Sequence, residues 1–150
     1  MNDKGKLREE VWNLLEVKGL TSGKINSGRI PKFKGALKAA MMLKNTLEWE
    51  NSRVIFSSPD SAQTKVREYA LRDGKVLIMA SPKLKKGYLY INPEDASGQE
   101  SMASTIRGAF KIAKTVRDFP TVDLVVEGSV AVDPTGGRLG KGGGYGDQEI

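Results

Sequence analysis

The chain has 150 residues, enough for one hydrophobic core, and its 39% hydrophobic and 28% charged residues are proportions of an ordinary folded protein, so a single domain over 1–150 is expected. Cysteine and histidine are both absent, which excludes disulfides, thiolate catalysis, Ser-His-Asp triads and imidazole-ligated metals, while phosphoryl transfer, which depends on positioning and cations, stays open. The formal net charge of +6 favours an anionic partner, whether nucleotide, polyanionic small molecule or RNA.

Leu7, Val11, Leu14 and Leu15 recur at helical spacing between charged residues, which predicts an amphipathic helix over 4–17 with these four on its buried stripe. The small polar segment 21–28 reads as a loop. Pro31 suits a first helical turn, and Ala36, Ala40, Leu43 and Leu47 predict one second helix. A strand is expected at 53–56, followed by turn and N-cap chemistry in Ser57-Ser58-Pro59-Asp60-Ser61 and a third helix through Val66, Tyr69 and Ala70 that closes at Asp73-Gly74.

Lys75–Ala80 is the next expected strand, and its run Val76–Ala80 is apolar without alternation, the pattern of a strand covered on both faces. A basic loop at 82–86 leads to a short strand at 87–91. Met102, Ile106, Ala109, Phe110 and Ala113 then predict a fourth helix that ends before Pro120, and Leu124-Val125-Val126 is a second buried-type strand. Strands separated by helices of this length need crossovers, so a three-layer α/β/α arrangement with a mostly parallel sheet is expected, its ligands beyond the carboxyl ends of the strands.

No run approaches the roughly 18 apolar residues of a spanning helix, and Met1–Lys6 has no signal-peptide core, so a cytoplasmic, membrane-free protein is expected. Trp12 and Trp49, on predicted helices, read as packing residues.

The chemistry is concentrated after the last strand. Six of the residues from Gly136 to Gly144 are glycines, and Arg138 and Lys141 lie among them. Residues without a Cβ let backbone N–H groups approach phosphate oxygens, which makes the segment a candidate anion cradle, with Asp133 and Asp147 available to hold Mg²⁺. A flexible linker or tail is the alternative reading of such a loop, and a simple turn with Pro134 the alternative reading of Asp133. The P-loop spacing is absent.

Val122–Val126, Ala131-Val132-Asp133 and the run from Gly137-Arg138-Leu139-Gly140 to Tyr145 and Asp147 resemble the signature of the 5-formyltetrahydrofolate cyclo-ligases. Lys4-x-x-Leu7-Arg8 resembles the family's opening Lys and Arg, four residues apart on one helical face. Arg29-Ile30-Pro31-x-Phe33, Val66-Arg67, Gly74-Lys75 and Ser104–Ala109 resemble the branch of methenyltetrahydrofolate synthetase domain-containing proteins.

The resemblance implies a Rossmann-like fold of the CoA-transferase-like kind and an ATP- and Mg²⁺-dependent closure of 5-formyltetrahydrofolate, or a related reduced pterin, to its 5,10-methenyl form. Carried over to this chain, Lys4, Arg8 and Arg138 would contact ATP phosphates, with Lys4 and Arg138 acting on the transferred group. Leu139, Gly140, Lys141, Gly142, Gly143, Gly144 and Tyr145 would form the surrounding loop, and Asp147, with Asp133, would face the metal. Two positions depart from the pattern: Glu127 stands where the cyclo-ligases usually have proline, and Gly146 where they commonly have a second tyrosine.

Without the loop, Lys4 and Arg8 read as an ordinary solvated helix face. A helix is expected after the glycine loop to cover the sheet; a truncated chain, a naturally short one or a partner chain would each account for the end at Ile150. Three functions compete: a cyclo-ligase, a non-catalytic nucleotide- and folate-binding relative, and, ranked last for want of an aromatic RNP-type strand or a concentrated basic stripe, an RNA-binding protein.

Overall fold

The computed structural model describes residues 3–21 and 28–142. Its centre is a five-stranded sheet of order β4-β3-β2-β1-β5, with β1 at Val54–Ser57, β2 at Val76–Ala80, β3 at Tyr88–Ile91, β4 at Lys114–Val116 and β5 at Leu124–Val126. β1 pairs in parallel with both β2 and β5, while β3 runs antiparallel to β2 and to β4. Four of the five strands therefore share one direction and β3 alone opposes them, a mixed α/β arrangement of Rossmann-like type.

The unbroken apolar run of β2 places it mid-sheet, where Leu77, Ile78, Met79 and Ala80 are fully buried. Alternate residues face opposite sides, so Leu77 and Met79 join one cluster and Ile78 and Ala80 the other. The first cluster packs Ile55 and Leu89 from the sheet beneath helices α2 (Ala36–Lys44), α4 (Thr64–Arg72), α5 (Glu100–Ala103) and α6 (Ile106–Ile112), which contribute Ala40, Val66, Leu71, Ala103 and Ala109. On the opposite face, among the described residues, Phe56 is covered by Tyr88 and Phe119, with ring centroids 6.1 and 6.4 Å away, and by Leu84 and Val122.

Local chemistry moves several expected boundaries. The second helix does not run on to Leu47: it stops at Asn45, and Thr46 starts the short α3 (Leu47–Glu50) by accepting the Trp49 N–H at 3.2 Å, leaving Leu47 69% exposed. The predicted fourth helix is two helices, because Thr105 caps α6 by accepting the Gly108 N–H at 3.0 Å. Gly108 is required there, since any Cβ would overlap the Met102 carbonyl. α6 ends at Ile112, and the next residues form β4, a strand the helical periodicity concealed.

Two apolar segments are less buried than expected. β5 is an edge strand, and Val125 is 42% exposed. α1 (Asp3–Val17) buries Trp12, not the predicted stripe, and leaves Leu7 and Leu14 about half exposed. Both tryptophans are packing residues: Trp12 donates from Nε1 to the Arg29 carbonyl at 3.0 Å, and Trp49 to Asp73 Oδ2 at 2.9 Å. No helix among the described residues is long and apolar enough to cross a membrane.

Candidate functional site

The carboxyl ends of β1 and β5 lie side by side, and the chain leaving each is locked to the other. The Ser58 N–H donates to the Val126 carbonyl at 3.1 Å, and the Gly128 N–H to Ser58 Oγ at 2.9 Å. Ser58 Oγ itself donates to Asp60 Oδ2 at 2.7 Å and accepts from Gln63 Nε2 at 3.1 Å, which uses its full hydrogen-bonding capacity. Position 128 must be glycine, because a Cβ there would overlap the Asp60 carboxylate.

Beneath this junction lies Arg67, 1% exposed. Its Nε donates to the Ser104 carbonyl at 2.8 Å, its Nη1 to the carbonyls of Ser58 at 2.7 Å and Asp60 at 2.9 Å, and its Nη2 to Thr64 Oγ1 at 3.2 Å. Burial lowers the guanidinium to about 10, against the opposing pull of Asp60. Burial likewise raises the Asp60 carboxyl above its ordinary 3.8, partly offset by the Ser58 hydroxyl and the Arg67 charge. Ser58 and Asp60 thus turn inward, and neither caps α4, as the turn-like sequence had suggested.

From Gly128 the chain passes into a two-stranded hairpin, β6 (Ala131–Val132) and β7 (Arg138–Leu139). Asp133 closes it: its Oδ1 accepts from Thr135 N at 2.8 Å, Thr135 Oγ1 at 2.7 Å and Gly137 N at 2.9 Å. The Thr135 hydroxyl, then the Gly137 and Thr135 amides, hold this carboxyl below its ordinary range. Gly136, at φ +95°, and Gly137 therefore belong to a turn that precedes the candidate cradle. The turn reading of Asp133 is realised, with Oδ1 committed to it.

The hairpin returns Arg138 to the β5 exit. Its Nε donates to Ser129 Oγ at 3.1 Å and its Nη2 to the Gly128 carbonyl at 2.7 Å, with Glu127 Oε2 3.8 Å from Nη2. Leu139 turns its side chain into the interior at 8% exposure, and its carbonyl accepts from Val130 N at 2.7 Å.

Arg8, from α1, donates from Nε to the Gly140 carbonyl at 2.7 Å and lies against Gly142, whose φ is +116°. The structure thus gathers Arg8, Arg138, Gly140 and Gly142. Lys4 is exposed one turn before Arg8, and Lys141 is also exposed. Gly143, Gly144, Tyr145 and Asp147 lie outside the described residues. Among the described residues no group of three acidic side chains could hold a metal, but a phosphate-bound Mg²⁺ needs only one or two carboxylates.

Glu127, Gly128 and Ser129, which contact Arg138, also line an apolar cavity of about 500 Å³, within the size range of small-molecule sites. Leu15, Leu20, Phe33, Leu43, Val66 and Val130 line it, with Glu127 on the side toward Arg138. It lies beyond the carboxyl ends of β1 and β5, where ligands of open α/β sheets collect. No local pattern in the chain marks it, because its walls come from segments spread over more than a hundred positions.

The sequence profile described as the 5-formyltetrahydrofolate cyclo-ligase family matches residues 1–150. The chain is 38% identical over 149 residues to a methenyltetrahydrofolate synthase domain-containing protein of Danio rerio, covering 95% of this chain and 39% of that one. Proteins of the same description from Mus musculus and Homo sapiens are 34% and 31% identical, over 97% and 95% of this chain and 41% and 39% of theirs. The chain spans about two fifths of the length of these relatives.

Proposed function

The chain belongs to the 5-formyltetrahydrofolate cyclo-ligase family, and from that premise we propose that it is an ATP- and Mg²⁺-dependent cyclo-ligase acting on 5-formyltetrahydrofolate or a related reduced pterin. The observation that carries this reading is the meeting of Arg8 and Arg138 at Gly140, next to an apolar cavity large enough for a pterin ring.

In the family chemistry ATP supplies the γ-phosphoryl group that the formyl oxygen accepts, and the neighbouring folate nitrogen closes the ring as phosphate departs. Arg138 and Arg8 offer planar, permanently charged donors suited to phosphate oxygens, and Lys4 adds a mobile charge from the same helix face. Glycines 140 and 142 let the backbone approach those oxygens. Asp133 Oδ2 and Asp147 are the carboxylates proposed for the Mg²⁺ side. The cavity walls exclude water from the pterin and orient its formyl group toward the arginines.

Calorimetric titration of Mg-ATP tests this, with Arg138→Ala beside it. Binding that falls at least tenfold in the variant, together with 5-formyltetrahydrofolate-dependent ATP hydrolysis and methenyl product, is the expected result. Failure of the intact chain to bind Mg-ATP would sink it. The second reading, a non-catalytic nucleotide- and folate-binding relative, is favoured by one observation, the acidic Glu127 beside Arg138, and predicts binding without hydrolysis.

A further inference from the structure

Among the described partners of Arg138 are two kinds that do different things. The Gly128 carbonyl and Ser129 hydroxyl, at 2.7 and 3.1 Å, are neutral acceptors that fix the direction of the guanidinium plane. Glu127 Oε2, at 3.8 Å, is beyond hydrogen-bond distance and acts on Arg138 by its charge. The Glu127 side chain is only 9% exposed and that of Arg138 24%, so water screens this attraction far less than it would a surface pair.

We propose that Glu127 is an internal competitor of the nucleotide's phosphates for Arg138, setting the affinity for Mg-ATP. This deepens the nucleotide-binding reading above and rests on it. A phosphate can offer the guanidinium a pair of short, in-plane bonds that Glu127 at 3.8 Å does not make, so binding exchanges a charge contact for a bidentate one. Gly128 and Ser129 hold Arg138 independently of Glu127, so these two bonds can persist through that exchange. Glu127 also lines the apolar cavity, so the competing charge sits at the boundary between the proposed phosphate and pterin positions.

A residue that merely supported the fold would, when neutralised, leave phosphate affinity unchanged or lower it. Glu127 as a competitor has the opposite signature. The test is calorimetric titration of Mg-ATP and of inorganic tripolyphosphate into the intact chain and four variants: Glu127→Gln, Glu127→Ala, Glu127→Asp, and Glu127→Gln combined with Arg138→Ala, each checked for folding by thermal melting.

Both neutral replacements should bind the two probes about tenfold more tightly, or about 1.4 kcal/mol. Glu127→Asp should stay near the parent, and the gain from Glu127→Gln should vanish when Arg138 is gone. Unchanged or weaker binding by the neutral variants overturns the proposal, as does a gain that persists without Arg138, which would mark a general charge effect. If the parent binds Mg-ATP through Arg138 but the neutral variants gain nothing, only the competitor role falls. If no variant binds either probe, the nucleotide reading falls with it.

Discussion

The two arginines that tie distant segments together, Arg67 and Arg8, do so in opposite surroundings. Arg67 is sealed beneath the β1–α4 junction with four hydrogen bonds into three segments. Arg8 reaches from α1 to the Gly140 carbonyl, and its helix buries only Trp12 among fifteen residues while Val17 is 85% exposed. The scaffold under the site is tied together by buried polar bonds, with Asp60 Oδ1 a buried atom that they leave without a hydrogen-bond partner; among the described residues the site's outer wall is attached by fewer and less buried contacts. A wall held in this way should open at lower cost than the junction beneath it.

The largest effect that would break this contrast is at Arg67. Arg67→Ala strands the carbonyls of Ser58, Asp60 and Ser104 and leaves Asp60 buried beside no cation, so it should cost about 3–5 kcal/mol in urea unfolding. Arg67→Lys should recover less than half, because an ammonium cannot reproduce the fork. A loss under about 1 kcal/mol would show that the junction is not the rigid part.

Arg8→Ala sharpens the contrast from the other side. It should lower global stability by less than about 1 kcal/mol, yet speed hydrogen exchange of the α1 amides while those of β2 stay protected. Equal acceleration in both would mean that α1 and the sheet open as one unit.

The smallest effect concerns the hairpin carrying Arg138. Because Asp133's pKa is depressed below 3.8 in the folded chain, its stabilisation is complete above that value and lost as pH falls through the lower folded pKa. Amide chemical shifts of Thr135 and Gly137 should report loosening only below the ordinary carboxylate range, and Asp133→Ala should abolish that transition at every pH. A hairpin unaffected by the variant would mean the turn holds without the carboxylate.

How much of this was legible depended on whether a residue's role is local. The β2 run could be read because apolar density is a local property, whereas Lys4, Arg8 and Arg138 stand out through the resemblance to the cyclo-ligases; the structure brings Arg8 and Arg138 together. The breaks at Thr46 and Thr105 were also encoded, as threonines with short-range capping roles, but a helical period that continues across them hides them. β4 was masked in the same way by the apolar residues of α6.

Arg67, Asp60 and Gln63 could not be found by such reading, since a buried arginine looks like a surface one until its carbonyl partners, 37 positions away at Ser104, are in place. The exposure of Val125 follows from β5 being at the sheet edge, which strand order decides and composition does not.

The bond between Arg8 and Gly140 spans 132 positions. Drawing such a loop closed costs about 4 kcal/mol of chain entropy, more than one surface hydrogen bond returns. The contact therefore forms only after the sheet has already shortened the path between its partners. During synthesis Arg8 emerges well over a hundred residues before Gly140, so Trp12 can reach the Arg29 carbonyl early while the pairing of Arg8 with the loop is expected among the last events of folding.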